Sequence, residues 1–202
     1  MDVMPAGDDR SIEAAVRVIR SAGIVAVPTD TFYGLAADPM NPVALERLVR
    51  LKGRDVSRGI LILISDLNQI TPYVDRLPVG FEGWGIWPGP VTLLLAARLG
   101  LPPLLTGGSR KIGVRLPEAA IVSRICRRLR HAITGTSANL SGDPPASDPS
   151  ALGPIAGSTD LALDGGRLTA EQPSTIVDLT GATPVLVRPG VVPFETILKE
   201  IR

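Results

Sequence analysis

The chain has 202 residues, of which 45% are hydrophobic and 20% charged, and its formal net charge is +1. This composition is typical of a soluble globular protein with a single domain over residues 1–202, and it excludes a strongly basic polyanion-binding tail. One cysteine and one histidine exclude a disulfide framework and a histidine metal site. The apolar runs are far shorter than the about 20 residues that span a bilayer, and the acidic start does not fit a signal peptide, so we expect a cytoplasmic protein.

The first part of the chain alternates helix and strand signals. Apolar residues at helical spacing predict a helix over 11–20 that stops at Gly23, and GIVAVP predicts a buried strand. The next helix is predicted from Pro42, with Asn41 as its N-cap and Gly53 at its end. The runs ILILI, PVTLLLAA and KIGVRLP then predict three buried strands.

The second part predicts a helix opened by Pro117 and a strand at AITGTS that runs into a polar loop. Strands at DLALD, STIVDL and PVLVRP follow, and PFETILKEI predicts a closing helix. Aliphatic strands interleaved with helices indicate an α/β fold whose sheet is covered on at least one face. The late strands without helices between them indicate some antiparallel pairing.

Three polar clusters follow predicted strands, where ligand crevices of α/β sheets open. PTDTFYG contains Thr31, TGTSANLSG contains Gly135, and EQPSTIVDL contains Ser174. Small residues let a ligand approach the backbone, and hydroxyl and N–H groups suit phosphate or carboxylate oxygens. Taken singly, each cluster is also explained by a turn or a cap, in which the polar side chains form hydrogen bonds with nearby backbone groups.

Arginine supplies most of the positive charge. Its planar guanidinium donates paired hydrogen bonds to a carboxylate or phosphate, which the ammonium of lysine does not do as well. Arg115 and Arg188 each interrupt or end an aliphatic strand, so each either pairs with an acid or is kept for an anionic ligand. The arginines between residues 124 and 130 are interpreted as a solvated helix face. The chain has no GxxxxGK[ST], GxGxxG, HExxH or GxSxG motif and no visible nucleophilic triad.

Seven motifs in order, PTDTFYGLAAD, KGRDVSRGILILI, WPGPVTLLL, IGVRLP, TSANLSG, PSTIVDL and VLVRPG, resemble the YrdC-like family of threonylcarbamoyl-adenylate synthases in its short form. The resemblance runs over residues 10–200. It implies a twisted mixed sheet of parallel and antiparallel strands with flanking helices and a concave basic face. It also implies that L-threonine, bicarbonate and ATP are converted to threonylcarbamoyl-AMP and pyrophosphate.

The resemblance also implies the roles of individual residues. The expected catalytic residues are Lys52, Arg54, Ser137 and Asn139. By the resemblance, the expected nucleotide contacts are Arg54, Ser137 and Arg188, and we expect the cations Arg58 and Lys111 to contact the nucleotide as well. The expected threonine contacts are Thr31, Arg115, Gly135 and Ser174. We expect ATP as a substrate that carries its own Mg²⁺, no metal ligands from the protein, and downstream proteins that pass the threonylcarbamoyl group to an adenosine of tRNA.

Two other functions fit parts of the sequence. A basic concave face could hold tRNA or double-stranded RNA, which would make the protein an RNA-binding or ribosome-associated module. Against this, aromatic residues make up only 3% of the chain and are not interleaved with the basic ones. A YrdC domain that transfers a carbamoyl group to another acceptor is the second alternative.

Overall fold

Eleven strands and five helices are present in the computed structural model of the chain, which describes residues 1–201. The helices are α1 (Asp9–Arg20), α2 (Pro42–Lys52), α3 (Pro103–Thr106), α4 (Ala120–Leu129) and α5 (Phe194–Glu200). The strands are β1 (Asp2–Pro5), β2 (Val25–Val27), β3 (Gly34–Ala36), β4 (Ile62–Leu63), β5 (Val91–Ala96), β6 (Lys111–Arg115), β7 (Ile133–Thr134), β8 (Thr136–Ser137), β9 (Leu161–Asp164), β10 (Thr175–Asp178) and β11 (Val185–Arg188). The 3₁₀ turns are Leu67–Ile70, Phe81–Gly83 and Pro149–Ser158. None of the described helices is long and apolar enough to cross a membrane.

The strands form two mixed sheets. The five-stranded sheet has the order β1-β9-β2-β3-β8, and the six-stranded sheet has the order β11-β10-β5-β6-β4-β7. Both sheets contain parallel pairs, such as β1 with β9, and antiparallel pairs, such as β5 with β6. The predicted α/β class with mixed pairing is therefore confirmed, although the strands divide between two sheets where the sequence indicated one.

Local signals explain where α1 and α2 begin and end. Asp8 caps α1 by accepting a hydrogen bond from the Arg10 N–H. Asn41 caps α2, and α2 ends at Gly53, whose φ of 55° lies in the left-handed region that glycine adopts without strain. Both ends of α2 lie where the sequence places them, which fixes the direction in which the chain enters the segment after Lys52.

Two groups of buried side chains form the core. In the smaller group, α1 and α4 pack against strands of the five-stranded sheet. In the larger group, one face of the six-stranded sheet packs against α2 and its neighbours; this face presents Leu93, Leu95, Ile112, Val114 and Val177. Because successive side chains of a strand alternate between faces, the residues between these aliphatic ones point to the opposite face of the sheet.

Two predicted elements differ from the structure. Pro117 does not open α4, which begins at Ala120, because the backbone of Ala119 is extended (φ −138°, ψ 104°) and separates Pro117 from the helix. The predicted strand AITGTS is two strands, β7 and β8, which belong to different sheets. The chain crosses from one sheet to the other at Gly135, where a Cβ would lie 2.4 Å from the Leu63 Cγ atom. Only glycine fits at this crossing.

Candidate active site

A cleft of about 960 Å³ lies over the face of the six-stranded sheet that is turned away from the core. Its floor follows the two-residue period of the strands. β5 contributes Thr92 and Leu94, and β6 contributes Lys111, Gly113 and Arg115. The strand alternation that buries one face of this sheet therefore also builds the cleft on the other.

All eleven site residues predicted from the sequence line this cleft. Six of them are cationic, namely Lys52, Arg54, Arg58, Lys111, Arg115 and Arg188. The structure thus brings the predicted residues together, although their separate roles remain predictions. A second groove of about 450 Å³ is lined by apolar residues and Glu46 and by no cation, so it cannot neutralise a phosphate ligand.

Arg115 lies at the end of β6, only 4% exposed, and is held by three acceptors. Its Nη2 group pairs with the Asp30 carboxylate, its Nε donates to the Gly89 carbonyl at 3.2 Å, and its Nη1 donates to the Thr31 hydroxyl at 3.1 Å. A guanidinium has five N–H donors, so two remain for a ligand. Of the two alternatives left open by the sequence, pairing with an acid is the one observed, and it still leaves donors available.

The Thr31 hydroxyl is oriented by its neighbours. Thr29 Oγ1 donates its single proton to the Phe32 carbonyl at 2.7 Å, so it can only accept from Thr31 Oγ1 at 3.2 Å. Thr31 therefore donates to Thr29 and accepts from Arg115. Its remaining lone pair can accept a hydrogen bond from a ligand N–H or O–H group, but Thr31 has no proton left to donate.

Arg188 and Ser174 form a second polar group in the cleft. Arg188 donates through Nη2 to the Ser174 carbonyl at 2.8 Å and to the Ser174 hydroxyl at 3.1 Å, and that hydroxyl also bonds the Thr92 hydroxyl at 2.9 Å. Arg188 has no carboxylate partner among the described residues. Burial, followed by the positive charge of Arg115, lowers the pKa of Arg188. The remaining donors of this guanidinium suit an anion.

Residues 137–143 form a turn that we call the serine–asparagine loop. Lys52, 5% exposed, reaches it from the end of α2 and donates through Nζ to the Ser137 carbonyl and, at 2.8 Å, to the Asn139 carbonyl. Burial, followed by the positive charge of Arg54, lowers the pKa of Lys52 to about 8. Asn139 donates through Nδ2 to the carbonyls of Leu140 and Asp143, each at 2.7 Å.

Arg54 lies beside this loop, and only some of its N–H donors have hydrogen-bond partners. Its Nη2 donates to the Gly59 carbonyl at 2.9 Å and its Nη1 donates to the Thr136 hydroxyl at 3.4 Å, while its buried Nε has no partner among residues 1–201. Burial lowers the pKa of Arg54, the charge of Arg58 lowers it further, and Asp55 opposes both. Arg58 is exposed at the rim of the cleft and has no ion-pair partner in the described part of the chain. Neither of these two arginines forms an ion pair with a carboxylate of the described residues.

Lys111 differs from the other cations because it pairs with the Asp178 carboxylate at 2.5 Å. Burial alone would raise the pKa of Asp178, but hydrogen bonds from Lys111 and Thr180 and the charge of Lys111 outweigh it, so the pKa is lowered. Lys111 remains 45% exposed. Lys111 can therefore contact a ligand, but its positive charge is partly neutralised by Asp178.

Several functional positions were missed by the sequence analysis. Thr92, Gly113 and Asp30 line the cleft or hold its residues, yet only Asp30 lies in a polar cluster. The two-residue period upstream of Arg115 was a usable signal for Gly113, and a threonine inside the run PVTLLLAA was one for Thr92. Within residues 1–201, no group of three or more His, Cys, Asp or Glu residues could hold a metal ion.

The model of one protein family, Sua5/YciO/YrdC, described as "Telomere recombination", matches residues 17–190. A protein of Thiobacillus denitrificans named threonylcarbamoyl-AMP synthase is 39% identical over 163 residues, which cover 80% of this chain and 87% of that relative.

Two solved structures are similar over nearly the whole chain. Pyrococcus abyssi Sua5 complexed with L-threonine has a TM-score of 0.90 and 31% identity, covering 100% of this chain and 61% of that one. E. coli YciO has a TM-score of 0.85 and 28% identity, covering 97% of each chain. The chain therefore spans about three fifths of the archaeal protein and nearly all of YciO.

Proposed function

The chain belongs to the Sua5/YciO/YrdC family, and from this premise we propose that it is a threonylcarbamoyl-AMP synthase. The enzyme joins L-threonine and bicarbonate into a carbamate, transfers the AMP part of ATP to that carbamate, and releases pyrophosphate. It is therefore a nucleotidyltransferase. The observation that carries the proposal is the cleft, which combines an oriented Arg115 and Thr31 for an amino acid with arginines free of acid partners for a triphosphate.

Threonine binds at the Arg115 end of the cleft. The two spare N–H donors of Arg115 bind its carboxylate, because a fixed guanidinium matches a carboxylate in charge and geometry. Thr31 accepts a hydrogen bond from the ammonium or the hydroxyl of threonine, since it has only a lone pair to offer. Ser174 and Gly135 line the same cleft and complete the contacts to the amino acid.

ATP binds across the other cations of the cleft. Arg54, Arg58, Lys111 and Arg188 neutralise phosphate oxygens, and Ser137 orients them. The neutral amine of threonine attacks the carbon of bicarbonate, water is lost, and a carbamate forms. A carbamate oxygen then attacks the α-phosphorus, and the bond from that phosphorus to the bridging oxygen breaks as pyrophosphate leaves. This displacement requires alignment and charge neutralisation and no protein nucleophile.

Mg²⁺ enters with ATP in this proposal. The described residues offer the ion no cluster of carboxylates, so triphosphate oxygens and water fit its preference for oxygen ligands better than this protein does. The ion would neutralise charge on the phosphates. The product is passed to proteins that modify an adenosine of tRNA.

The test is an incubation of purified protein with ATP, bicarbonate and one amino acid at a time, followed by measurement of pyrophosphate and of the AMP adduct. We expect pyrophosphate with threonine and little with serine, valine or alanine. Pyrophosphate release that does not depend on threonine would refute the proposal, and release with another acceptor would favour the alternative carbamoyl-transfer function.

Three variants test the cleft itself. We expect Arg54→Ala and Ser137→Ala to lower turnover by about 100-fold or more, the scale of losing one positioned donor to developing charge, while their melting temperatures stay near that of the parent. The matched control is Arg127→Ala, which removes an exposed arginine of α4 and should leave turnover unchanged. Equal losses in all three variants would argue for a general structural effect.

A further inference from the structure

Four hydrogen bonds connect the single residue Lys52 to the serine–asparagine loop. Its Nζ donates to the Ser137 carbonyl, to the Asn139 carbonyl at 2.8 Å, and more weakly to Asn139 Oδ1 at 3.4 Å. Its own backbone carbonyl accepts from the Ser141 N–H at 2.9 Å. An ammonium has three N–H donors, so every donor of Lys52 is directed at the loop and none is left over.

Asn139 completes the loop from within. Both Nδ2 hydrogen bonds go to loop carbonyls, those of Leu140 and Asp143. A carboxamide nitrogen has two donors, so Asn139 also has none to spare. Its Oδ1 faces the Lys52 ammonium. The donors of both side chains are thus used up inside the protein.

We propose that Lys52 and Asn139 are positioning residues, which hold the serine–asparagine loop in place, and that Arg54 and Ser137 are the members of the same motif that contact the triphosphate. This rests on the proposed function, since it assigns roles within the proposed ATP site. It differs from the sequence-based expectation, in which all four residues were catalytic.

The hydrogen-bonding groups that the protein leaves unused support this assignment of roles. The buried Nε of Arg54 has no partner among residues 1–201, and the Ser137 side chain is exposed in the cleft and makes no hydrogen bond to the described residues. A phosphate oxygen can bind to the exposed Ser137 hydroxyl without displacing an existing bond, and Arg54, which lines the same cleft, still has an unsatisfied N–H donor to turn toward a ligand. Binding to Lys52 instead would require breaking bonds between a buried ammonium and the loop, which is costly for a charge that has no carboxylate partner among the described residues.

The position of Lys52 still matters for chemistry. Its carbonyl and ammonium fix both arms of the loop, so the Ser137 hydroxyl is held in place without a hydrogen bond of its own. A displacement of about 1 Å can cost about 100-fold in rate. Lys52 therefore acts on the reaction through Ser137 and through its positive field, without touching the substrate.

Hydrogen exchange of backbone amides in the ligand-free protein tests this directly. In Lys52→Met, which keeps most of the length of the side chain and removes its donors, we expect the hydrogen-bonded amides of Asn139, Ser141 and Asp143 to exchange at least about ten times faster, a change of about 1.4 kcal/mol in local opening. Amides of β2 and α1 serve as an internal control for global folding. In Arg54→Met the exchange of the loop should not change.

The second measurement is the Kd of an ATP analogue with a methylene bridge between the α and β phosphates, which binds but cannot react. We expect the Kd to rise more than tenfold in Arg54→Met and less than threefold in Lys52→Met, whereas kcat falls in both. If Lys52→Met weakens the analogue as much as Arg54→Met does and leaves loop exchange unchanged, Lys52 is a phosphate contact and the proposal is overturned.

Asn139→Ala provides an independent variant should Lys52→Met fail to fold. It removes two donors from the loop and should accelerate exchange over the same residues while leaving the Kd of the analogue within threefold. Unchanged exchange in Asn139→Ala would refute its positioning role. Failure of the proposed function gives a different result, because the parent protein would then release no threonine-dependent pyrophosphate whatever the loop does.

Discussion

Replacing Asp30 with alanine leaves the Arg115 guanidinium buried without a carboxylate. The two side chains are only 5% and 12% exposed, so water cannot replace the lost partner well. Breaking a buried ion pair by removing one member costs about 3–5 kcal/mol. We expect the low end, about 3 kcal/mol, because the Gly89 carbonyl and the Thr31 hydroxyl still accept from Arg115.

Thermal unfolding measures this loss. In a domain of this size each kcal/mol shifts the melting temperature by about 2–4 °C, so Asp30→Ala should melt about 6–12 °C below the parent. The matched control is Asp9→Ala, which breaks the pair between Arg124 and Asp9, whose side chains are 33% and 78% exposed. An exposed pair contributes about 0–1 kcal/mol, so this variant should melt within about 4 °C of the parent.

The same variant tests the orientation of Arg115. With Asp30 gone, the guanidinium is free to rotate, and we expect the KM for threonine to rise at least tenfold while the KM for ATP stays within twofold. Equal melting temperatures for Asp30→Ala and Asp9→Ala, together with an unchanged KM for threonine, would refute the reasoning.

Three further outcomes follow from the structure. Gly135→Ala places a Cβ 2.4 Å from the Leu63 Cγ atom and should lower the free energy of unfolding by about 1–3 kcal/mol, measured in urea. Tyr33→Phe removes a hydroxyl that donates to the Gly166 carbonyl from a fully buried ring and should cost about 1–2 kcal/mol in the same assay. The pKa of Lys52 is lowered to about 8 from 10.5, so between these pH values the unfolded chain binds more protons and the stability of the parent should rise with pH relative to Lys52→Met.

For each of these three predictions, one result would contradict the reasoning. A Gly135→Ala protein as stable as the parent would mean that the Leu63 side chain can move aside at little cost. A Tyr33→Phe protein that unfolds at the parent's urea midpoint would mean that the hydroxyl bond makes no net contribution. Parallel stability curves for the parent and Lys52→Met from pH 8 to 10.5 would contradict the lowered pKa.

Local chemistry made part of the fold predictable. Asn41, Pro42 and Gly53 define both ends of α2, because an N-cap, a first-turn proline and a left-handed glycine act within a few residues of themselves. β1 was missed because only its pairing with β9 defines it as a strand, and its side chains are mostly exposed. A short strand at the edge of a sheet carries little apolar pattern of its own.

The candidate site was likewise predictable from the sequence only in part. The residue types in the cleft were readable, because arginines inside aliphatic strands and hydroxyls after them are unusual. The donors that each residue has left were not readable, since they depend on partners far along the chain. Lys52 bonds residues 85 and 87 positions away, and Arg115 pairs with Asp30 from 85 positions away. Charge can be counted in a sequence, but hydrogen-bond saturation needs the fold.

The strand order also constrains when the protein can become active during synthesis. β9 lies between β1 and β2, so the first two strands of the five-stranded sheet cannot be joined until residues 161–164 have left the ribosome. Arg188, in the edge strand β11, emerges later still and lines the cleft together with Thr31 from the start of the chain. A nascent chain of about 150 residues therefore has the motif residues from 31 to 139 but neither complete sheet, and it becomes competent only after β11 has emerged.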